Sequence, residues 1–378
     1  MPTICLYKST EKITKYSVKE RRIHMHCHQI VEWGQPLEAR EYPTPQPQGT
    51  EVLLRIQAAG VCHSDVHIRA GYFDLGDGER AQLADKGATL PLTLGHESVG
   101  EVLALGPDAA AEAGDVGVGD SRIVFPWIGC RTCDWCLAGT EQFCDSPKFI
   151  GARVDGGYAD HVIVPHPKYL IDYGDVPTNL ACTYACSGIT AFAALKKVGN
   201  PGEKDAIVII GAGGVGLNAV HIARALYDGP VIVADIDANK RQAAEGAGAT
   251  RTIDNSDPDA VAAVLDATGG GAAATLDFVG APASSKFGLD VLRKTGTHVL
   301  IGLYGGKLGI PLPSFPGRET IFRGSYVGTL AQMHDLMTLV HAGKVPPIPT
   351  TPRPLAEANA AVDDLAAGRV VGRYVLKP

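Results

Sequence analysis

The tightest constraint in this chain is short. An unbroken apolar run, Ala206–Ile210, passes directly into Gly211–Ala–Gly213–Gly214–Val215–Gly216, where a helical pattern, Val215–Leu226, begins. Such a run suits a strand buried on both faces, as in a parallel sheet covered by helices. Gly-x-Gly-x-x-Gly placed between strand and helix predicts a dinucleotide site. Gly211 permits the tight turn, Gly213 lets the backbone approach a pyrophosphate, and Gly216 lets helix and strand pack closely. Gly214 and Val215 lie at the helix N-terminus, whose free N–H groups and positive dipole end favour phosphate. The next strand, Val231–Ala234, ends at Asp235, 19 residues past Gly216. A carboxylate there would accept the ribose hydroxyls and repel a 2′-phosphate, which favours NAD over NADP. Asp237 is a rival for that role, and a glycine-rich βα turn without a ligand is the plain alternative.

Strand and helix patterns go on alternating through Ala274–Val279 and Thr297–Leu303, which predicts a doubly wound α/β domain. The chain before it has a different texture. His28–Trp33, Glu51–Gln57, Ser98–Leu105, Arg122–Phe125 and Tyr158–Val164 read as short strands between turns. The layout is therefore an extension over 1–24, a β-rich domain over 25–187, a doubly wound domain over 188–326, and a tail over 327–378 that completes the first domain. Met25 reads as the natural start, with an N-terminal strand or arm as the alternative. A polar insert, Asp74 to Thr89, interrupts the first domain.

Charge and composition narrow the function. The net charge is −7, and the densest basic stretch is Lys19–Glu20–Arg21–Arg22, which argues against nucleic acid as a partner. No run of 18 apolar residues is present, so no membrane span is expected. The start lacks the apolar core of a signal peptide, which gives a cytoplasmic expectation. Nine cysteines fit that compartment as ligands or free thiols.

Four of them crowd together as Cys130-x2-Cys133-x2-Cys136-x7-Cys144. Four thiolates suit a closed, structural tetrahedral zinc, with an iron–sulfur cluster or free thiols as alternatives. A second set is dispersed: Cys62 in Gly60–Val–Cys62–His63–Ser64–Asp65–Val–His67, His96 in Gly95–His96–Glu97, and Cys186 in Cys186–Ser–Gly188. Two thiolates, an imidazole and an open position would make a catalytic zinc, although an isolated His or Cys is more often a satisfied core residue.

Taken in order, six motifs resemble the zinc-dependent medium-chain alcohol dehydrogenases: Gly60-x-Cys62-His63-Ser64-Asp65, Gly95-His96-Glu97, the four-cysteine lobe, Cys186-x-Gly188-x-Thr190, Gly211-x-Gly-Gly-x-Gly216 and Gly372–Arg373–Tyr374. The resemblance runs from about Met25 to the C-terminus. It implies a GroES-like catalytic domain interrupted by a Rossmann domain, with the active site in the cleft between them. It further implies NAD and two zinc ions per chain, one held by Cys62, His96 and Cys186 and the other by Cys130, Cys133, Cys136 and Cys144. Asp65 would orient His96, and Glu97 would approach the metal from behind. Ser64 and His67 would form a proton relay, through the nicotinamide ribose, from a zinc-bound alkoxide. His63 and Arg373 would contact the cofactor phosphates, and Thr190 would pack against nicotinamide. Cys182 matches nothing in the family.

The expected partner is a small alcohol, aldehyde or ketone, and the expected assembly is a homodimer or homotetramer, with Thr297–Leu303 as a candidate edge strand. The insert, lying between the relay residues and His96, is expected to shape the substrate entrance, and Trp127, Phe73 and Tyr72 suggest an apolar pocket or plain core packing. Polyols, or formaldehyde carried on a thiol, stay open as substrates. A zinc-free quinone reductase of the same fold is disfavoured by the cysteines, and a non-catalytic zinc ribbon by the acidic charge and the glycine loop.

Overall fold

The computed structural model describes residues 24–378; the greater part of the expected extension, 1–23, lies outside the described residues. The strand Ile207–Ile210 is buried throughout, and sits at the centre of a six-stranded parallel sheet. On one side lie Val231–Ala234 and Arg251–Ile253, and on the other Ala272–Asp277, Leu292–Leu300 and Ile321–Gly324. Helices such as Gly214–Leu226 and Pro282–Asp290 connect the strands. The edge of this sheet is not the expected Thr297–Leu303. The strand that covers Thr297 ends at Leu300 and is paired on both sides, and the short Ile321–Gly324 forms the edge instead. Its four residues are all exposed.

The first half of the chain builds a seven-stranded sheet around Val52–Gly60. That strand pairs antiparallel with Glu97–Leu105, His161–Val164 and, from the far end of the sequence, Arg373–Lys377. Arg373–Lys377 runs parallel to Thr350–Pro354, so the tail returns to the sheet on which the chain began. The core is continuous across both halves: Leu54, Val99 and Val375 of one sheet join Ile209 and Leu276 of the other in a single cluster of buried apolar residues. Burial of this kind, at about 25 cal/mol per Å² of apolar surface, is the main force holding the halves together.

The insert is a structured element. Tyr72–Gly76 and Glu79–Gln82 form a hairpin that reaches the segment after Leu292–Leu300. The Gly306 amide donates to the Asp74 carbonyl at 3.2 Å, and Lys307 Nζ lies 3.0 Å from Asp77 and 3.4 Å from Glu79. These ion pairs are largely solvated and contribute little; the backbone contact sets where the hairpin rests. Among the described residues, no helix is long and apolar enough to cross a membrane.

The glycine turn is specified by close approach. Gly211 has φ +90° and faces Val279, and a Cβ on Gly216 would collide with the Gly211 carbonyl oxygen. Replacing Gly216 with Ala is therefore expected to lower stability by about 1–3 kcal/mol, read as a lower urea midpoint with an unchanged slope.

Candidate active site and metal centres

Cys62 ends the segment that follows the central strand Val52–Gly60 and caps the helix His63–Ala70. This helix start is fixed reciprocally: the Cys62 amide donates to Asp65 Oδ2 at 2.8 Å and the Asp65 amide to the Cys62 carbonyl at 3.0 Å. His96 precedes the strand Glu97–Leu105. Cys186 lies in a wide π-helical turn, Tyr184–Gly188, between two α-helices. Such turns displace one residue from the regular helical ladder and recur at functional sites.

These segments meet in the interior. Potential ligand atoms of Cys62, His96, Glu97 and Cys186 all lie within 4.8 Å of one another, and all four residues are buried. The two sulfurs are 3.9 Å apart. Zinc–sulfur bonds near 2.3 Å in a tetrahedron place two sulfurs about 3.8 Å apart, so the spacing fits one shared cation and is far too long for a disulfide. Neither ring nitrogen of His96 makes a hydrogen bond of good geometry, although the ring is fully enclosed. Its Nδ1 faces Asp65 Oδ1 at 3.2 Å, which leaves Nε2 as the donor atom for a metal.

The electrostatics agree with that use. A hydrogen bond with Cys186 holds the Cys62 thiol well below its usual range, against burial and with help from Arg373. The same hydrogen bond, with burial, pushes Cys186 up. Burial disfavours a charged His96, but the Asp65 carboxylate and the Cys62 thiolate overcome it and hold the imidazole well above its ordinary value. A metal bound here would displace the protons of Cys186 and His96, since both residues must be deprotonated at the ligand atom to act as donors. Burial pushes Glu97 up to about 7 against the pull of Arg373. Glu97 Oε1 accepts from Arg373 and, at 3.1 Å, from the Ser187 amide.

The other expected residues surround this cluster. Ser64 Oγ lies 3.8 Å from Cys62 Sγ. His67 stands one turn further along the same helix, its ring 5.3 Å from that of Phe73. Burial lowers the pKa of His67, as does the neighbouring His63. His63 is itself lowered, first by burial and then, against the pull of Cys62, by Arg373 and Lys240. Arg373 is buried against Gly214, where a Cβ would strike its side chain, so a cation lies over the glycine loop. Thr190 is buried with no partner for its Oγ1. Asp235 Oδ2 accepts from the Ala212 amide at 2.7 Å and Oδ1 from the Asp237 amide at 2.9 Å. Asp237, its rival, is engaged elsewhere: its carboxylate caps the helix Ala238–Gly246 through the Asn239 and Lys240 amides. Gly211, Gly213, Gly214, Val215 and Gly216 lie in the turn and first helical residues expected of them.

Trp127 packs beside His96, with ring centroids 5.5 Å apart, and its indole N–H donates to the Ala185 carbonyl at 3.0 Å. Phe149 and Tyr326 join it at 5.5 and 6.2 Å. Tyr72 turns away and packs under Arg80, at 4.0 Å. Sequence reasoning missed Phe149 and Tyr326, which come from two distant segments with no local pattern. It also missed Tyr158, fully buried with its hydroxyl on Asp65.

The lobe Cys130–Cys144 is the second candidate centre. Its four sulfurs also converge within 4.8 Å, with Cys133 to Cys136 at 3.5 Å, Cys133 to Cys144 at 3.8 Å and Cys130 to Cys136 at 3.9 Å. These distances fit a closed tetrahedron of thiolates. Glu141, also missed from the sequence, ties the lobe to the body of the domain. Its carboxylate accepts from Tyr169 at 2.6 Å, the Gly129 amide at 2.9 Å and Lys168 at 2.9 Å.

Two sheets meeting at a buried thiolate–imidazole cluster, with a dinucleotide-type turn beside it and a four-thiolate lobe to the side, define a metal-dependent dehydrogenase architecture. Comparison with known proteins agrees. The family model described as alcohol dehydrogenase GroES-like domain matches residues 48–175, and that described as zinc-binding dehydrogenase matches residues 214–342. The NAD-dependent alcohol dehydrogenase of Sulfurisphaera tokodaii is 38% identical over 94% of this chain and 100% of its own. That of Saccharolobus solfataricus is 37% identical over the same shares. The crystal structure of the alcohol dehydrogenase from Aeropyrum pernix superposes with a TM-score of 0.84 at 30% identity, covering 93% of this chain and 100% of that one. The chain belongs to the zinc-type medium-chain alcohol dehydrogenase family.

The Glu141 network yields a test. Burial disfavours its charge, but the donors from Tyr169, Gly129 and Lys168 outweigh burial and lower its pKa. A carboxylate depressed on folding stabilises the folded state above its unfolded pKa, near 4.3, and that contribution is lost as pH falls through the lower folded value. Glu141→Gln is expected to cost about 2 kcal/mol at neutral pH. The gap in melting temperature between variant and wild type should narrow on acidification below pH 4.

Proposed function

We propose that this protein interconverts primary or secondary alcohols with aldehydes or ketones, using NAD and two zinc ions per chain. The observation that carries the reading is the meeting of Cys62, His96 and Cys186 around one point, enclosed on the protein side and flanked by Ser64. Bound there, zinc would act as a Lewis acid on the substrate oxygen, and NAD would supply the hydride chemistry. Cys62, His96 and Cys186 are its ligands, and Asp65 aims the imidazole through Nδ1. Glu97 stands behind them, held by Arg373. Ser64, next to the ligand Cys62, would accept the substrate's hydroxyl proton while giving up its own towards the nicotinamide ribose and His67, so that it stays a neutral hydroxyl throughout. His67, whose pKa is lowered by burial and by His63, would carry that proton on to water. Cys130, Cys133, Cys136 and Cys144 hold the second zinc in a closed, structural site.

The nucleotide rests on the glycine turn. Gly211, Gly213 and Gly216 let the backbone approach the pyrophosphate, and the helix start at Gly214 and Val215 offers amides to it. His63 and Arg373 face the phosphates, and the unpartnered Thr190 hydroxyl faces the nicotinamide. Asp235 receives the adenosine ribose. Trp127, Phe149, Tyr326 and Phe73 give the substrate side an apolar lining.

The partner in assembly is a second copy of the chain. The edge strand Ile321–Gly324 is fully exposed, and Ile321, Phe322 and Leu312 near it are exposed large apolar side chains. A strand edge of that kind invites pairing. All eight described cysteines are unpaired thiols, in keeping with a reducing compartment, the cytoplasm.

Metal analysis tests the core of the reading: two zinc ions per chain are expected, and Cys62→Ser should abolish turnover and keep one. A wild-type content of one would remove either the lobe or the catalytic set. Cofactor preference is the second test. Asp235→Gly removes both the ribose acceptor and the charge that repels a 2′-phosphate, so kcat/KM for NADP should rise relative to that for NAD. Wild-type protein that prefers NADP would overturn the role of Asp235.

A further inference from the structure

The Asp65 carboxylate faces His96 Nδ1 at 3.2 Å, and the structure shows what holds that carboxylate. Its two oxygens are used unequally. Oδ2 accepts two hydrogen bonds, from the Cys62 amide at 2.8 Å and from the Tyr158 hydroxyl at 2.8 Å. Oδ1 makes no hydrogen bond of good geometry and lies 3.2 Å from His96 Nδ1. The Cys62 amide belongs to the same helix start as Asp65, so it fixes the carboxylate only locally. Tyr158 comes from another part of the chain, 93 residues away.

Tyr158 is itself held rigidly to the segment that carries His96. Its amide donates to the Leu94 carbonyl at 2.8 Å, and the Gly157 amide donates to the Gly95 carbonyl at 2.7 Å. On the other side, the His28 amide donates to the Tyr158 carbonyl at 2.8 Å. The ring lies where a Cβ of residue 95 would be, so any side chain there would collide with it. Gly95 also has φ +98°, a conformation that favours glycine. The glycine before His96 thus makes room for the tyrosine that reaches Asp65. Burial, reinforced by the Asp65 charge, pushes the phenol well above its usual range. The hydroxyl therefore remains protonated and is always the donor.

We propose that Tyr158 is a positioning residue for the metal centre: its hydroxyl fixes the plane of the Asp65 carboxylate and draws charge from it, and so sets how strongly His96 donates to the bound metal. The proposal rests on the reading of Cys62, His96 and Cys186 as ligands. Without the hydroxyl, Asp65 is a stronger acceptor and pulls harder on the Nδ1 proton. The imidazole then donates more charge through Nε2, and the metal is a weaker Lewis acid. Groups in contact with a ligand, such as Asp65, change activity or metal affinity by about ten- to a hundredfold when altered, and Tyr158, acting through Asp65, is expected at the low end.

The test uses the full-length enzyme with cobalt(II) in place of the catalytic zinc, whose visible ligand-field bands report donor strength directly. Tyr158→Phe keeps the ring and removes only the hydroxyl. Its cobalt bands are expected to move to higher energy, with kcat about tenfold lower and the dissociation constant for NAD unchanged. In an Asp65→Asn background the same substitution should add nothing to the band position, because the route runs through Asp65. If Tyr158→Phe folds poorly, 3-fluorotyrosine placed at position 158, a stronger donor of nearly the same shape, should move the bands to lower energy. Wild-type bands in both variants would overturn the proposal, even if kcat fell, and would reduce Tyr158 to core packing. Wild-type protein that takes up metal only in the four-cysteine lobe would instead overturn the ligand reading, and this inference with it.

Discussion

The site depends on one buried ion pair. Arg373 begins the last strand, and Glu97 begins the strand that follows His96; they meet 276 residues apart in sequence, both buried. Glu97 also receives the Ser187 amide from the turn that carries Cys186, and Arg373 lies over Gly214. One contact therefore joins the tail, the His96 strand, the Cys186 turn and the glycine loop. Desolvating two charges is expensive, and a buried pair stabilises a fold less than apolar side chains of the same volume would. Its value here is registry. Any slip of Arg373–Lys377 along Val52–Gly60 would leave a buried charge unpaired, so the alignment that forms the site is also the one that satisfies the charges.

The two clusters that could hold a metal ion use similar donors in different settings. In the lobe, four sulfurs converge on one point, and the neighbouring Glu141 carboxylate is engaged by Tyr169 and Lys168. Four thiolates complete a tetrahedron, which suits a structural role. Around Cys62, the potential donors are two sulfurs and an imidazole, with a carboxylate paired to Arg373. That set is incomplete as a tetrahedron and is bordered by Ser64 and by the rings of Trp127, Phe149 and Tyr326. An incomplete shell beside a dinucleotide turn is the arrangement that a hydride-transfer enzyme needs.

Reading the chain without its structure recovered the elements that are local. The strand, glycine turn and helix of 206–226 lie where the pattern put them, because the periodicity and the glycine requirement are properties of adjacent residues. Strand ends were less legible. The expected Thr297–Leu303 is Leu292–Leu300, and its position in the sheet differs, because edge or interior status depends on a partner, Ile321–Gly324, too short to show any period. The insert Asp74–Thr89 read only as a polar stretch, and part of it is a hairpin. Two-stranded ribbons on a surface bury little, so their sequences carry no clear alternation.

What the sequence determined by itself is whatever a short stretch of chain can enforce: four cysteines within fifteen residues that can reach one point, a strand–glycine–helix unit, and a helix start at Cys62 that Asp65 caps. What only the tertiary structure decided is which distant groups meet. Cys62 and Cys186 are 124 residues apart, Asp65 and Tyr158 are 93 apart, and Glu97 and Arg373 are 276 apart. The physical reason is that side-chain period and turn chemistry act over a few residues. The register of the strands around Val52–Gly60 is selected by burial of a shared core and by the need to pair each charge that core encloses.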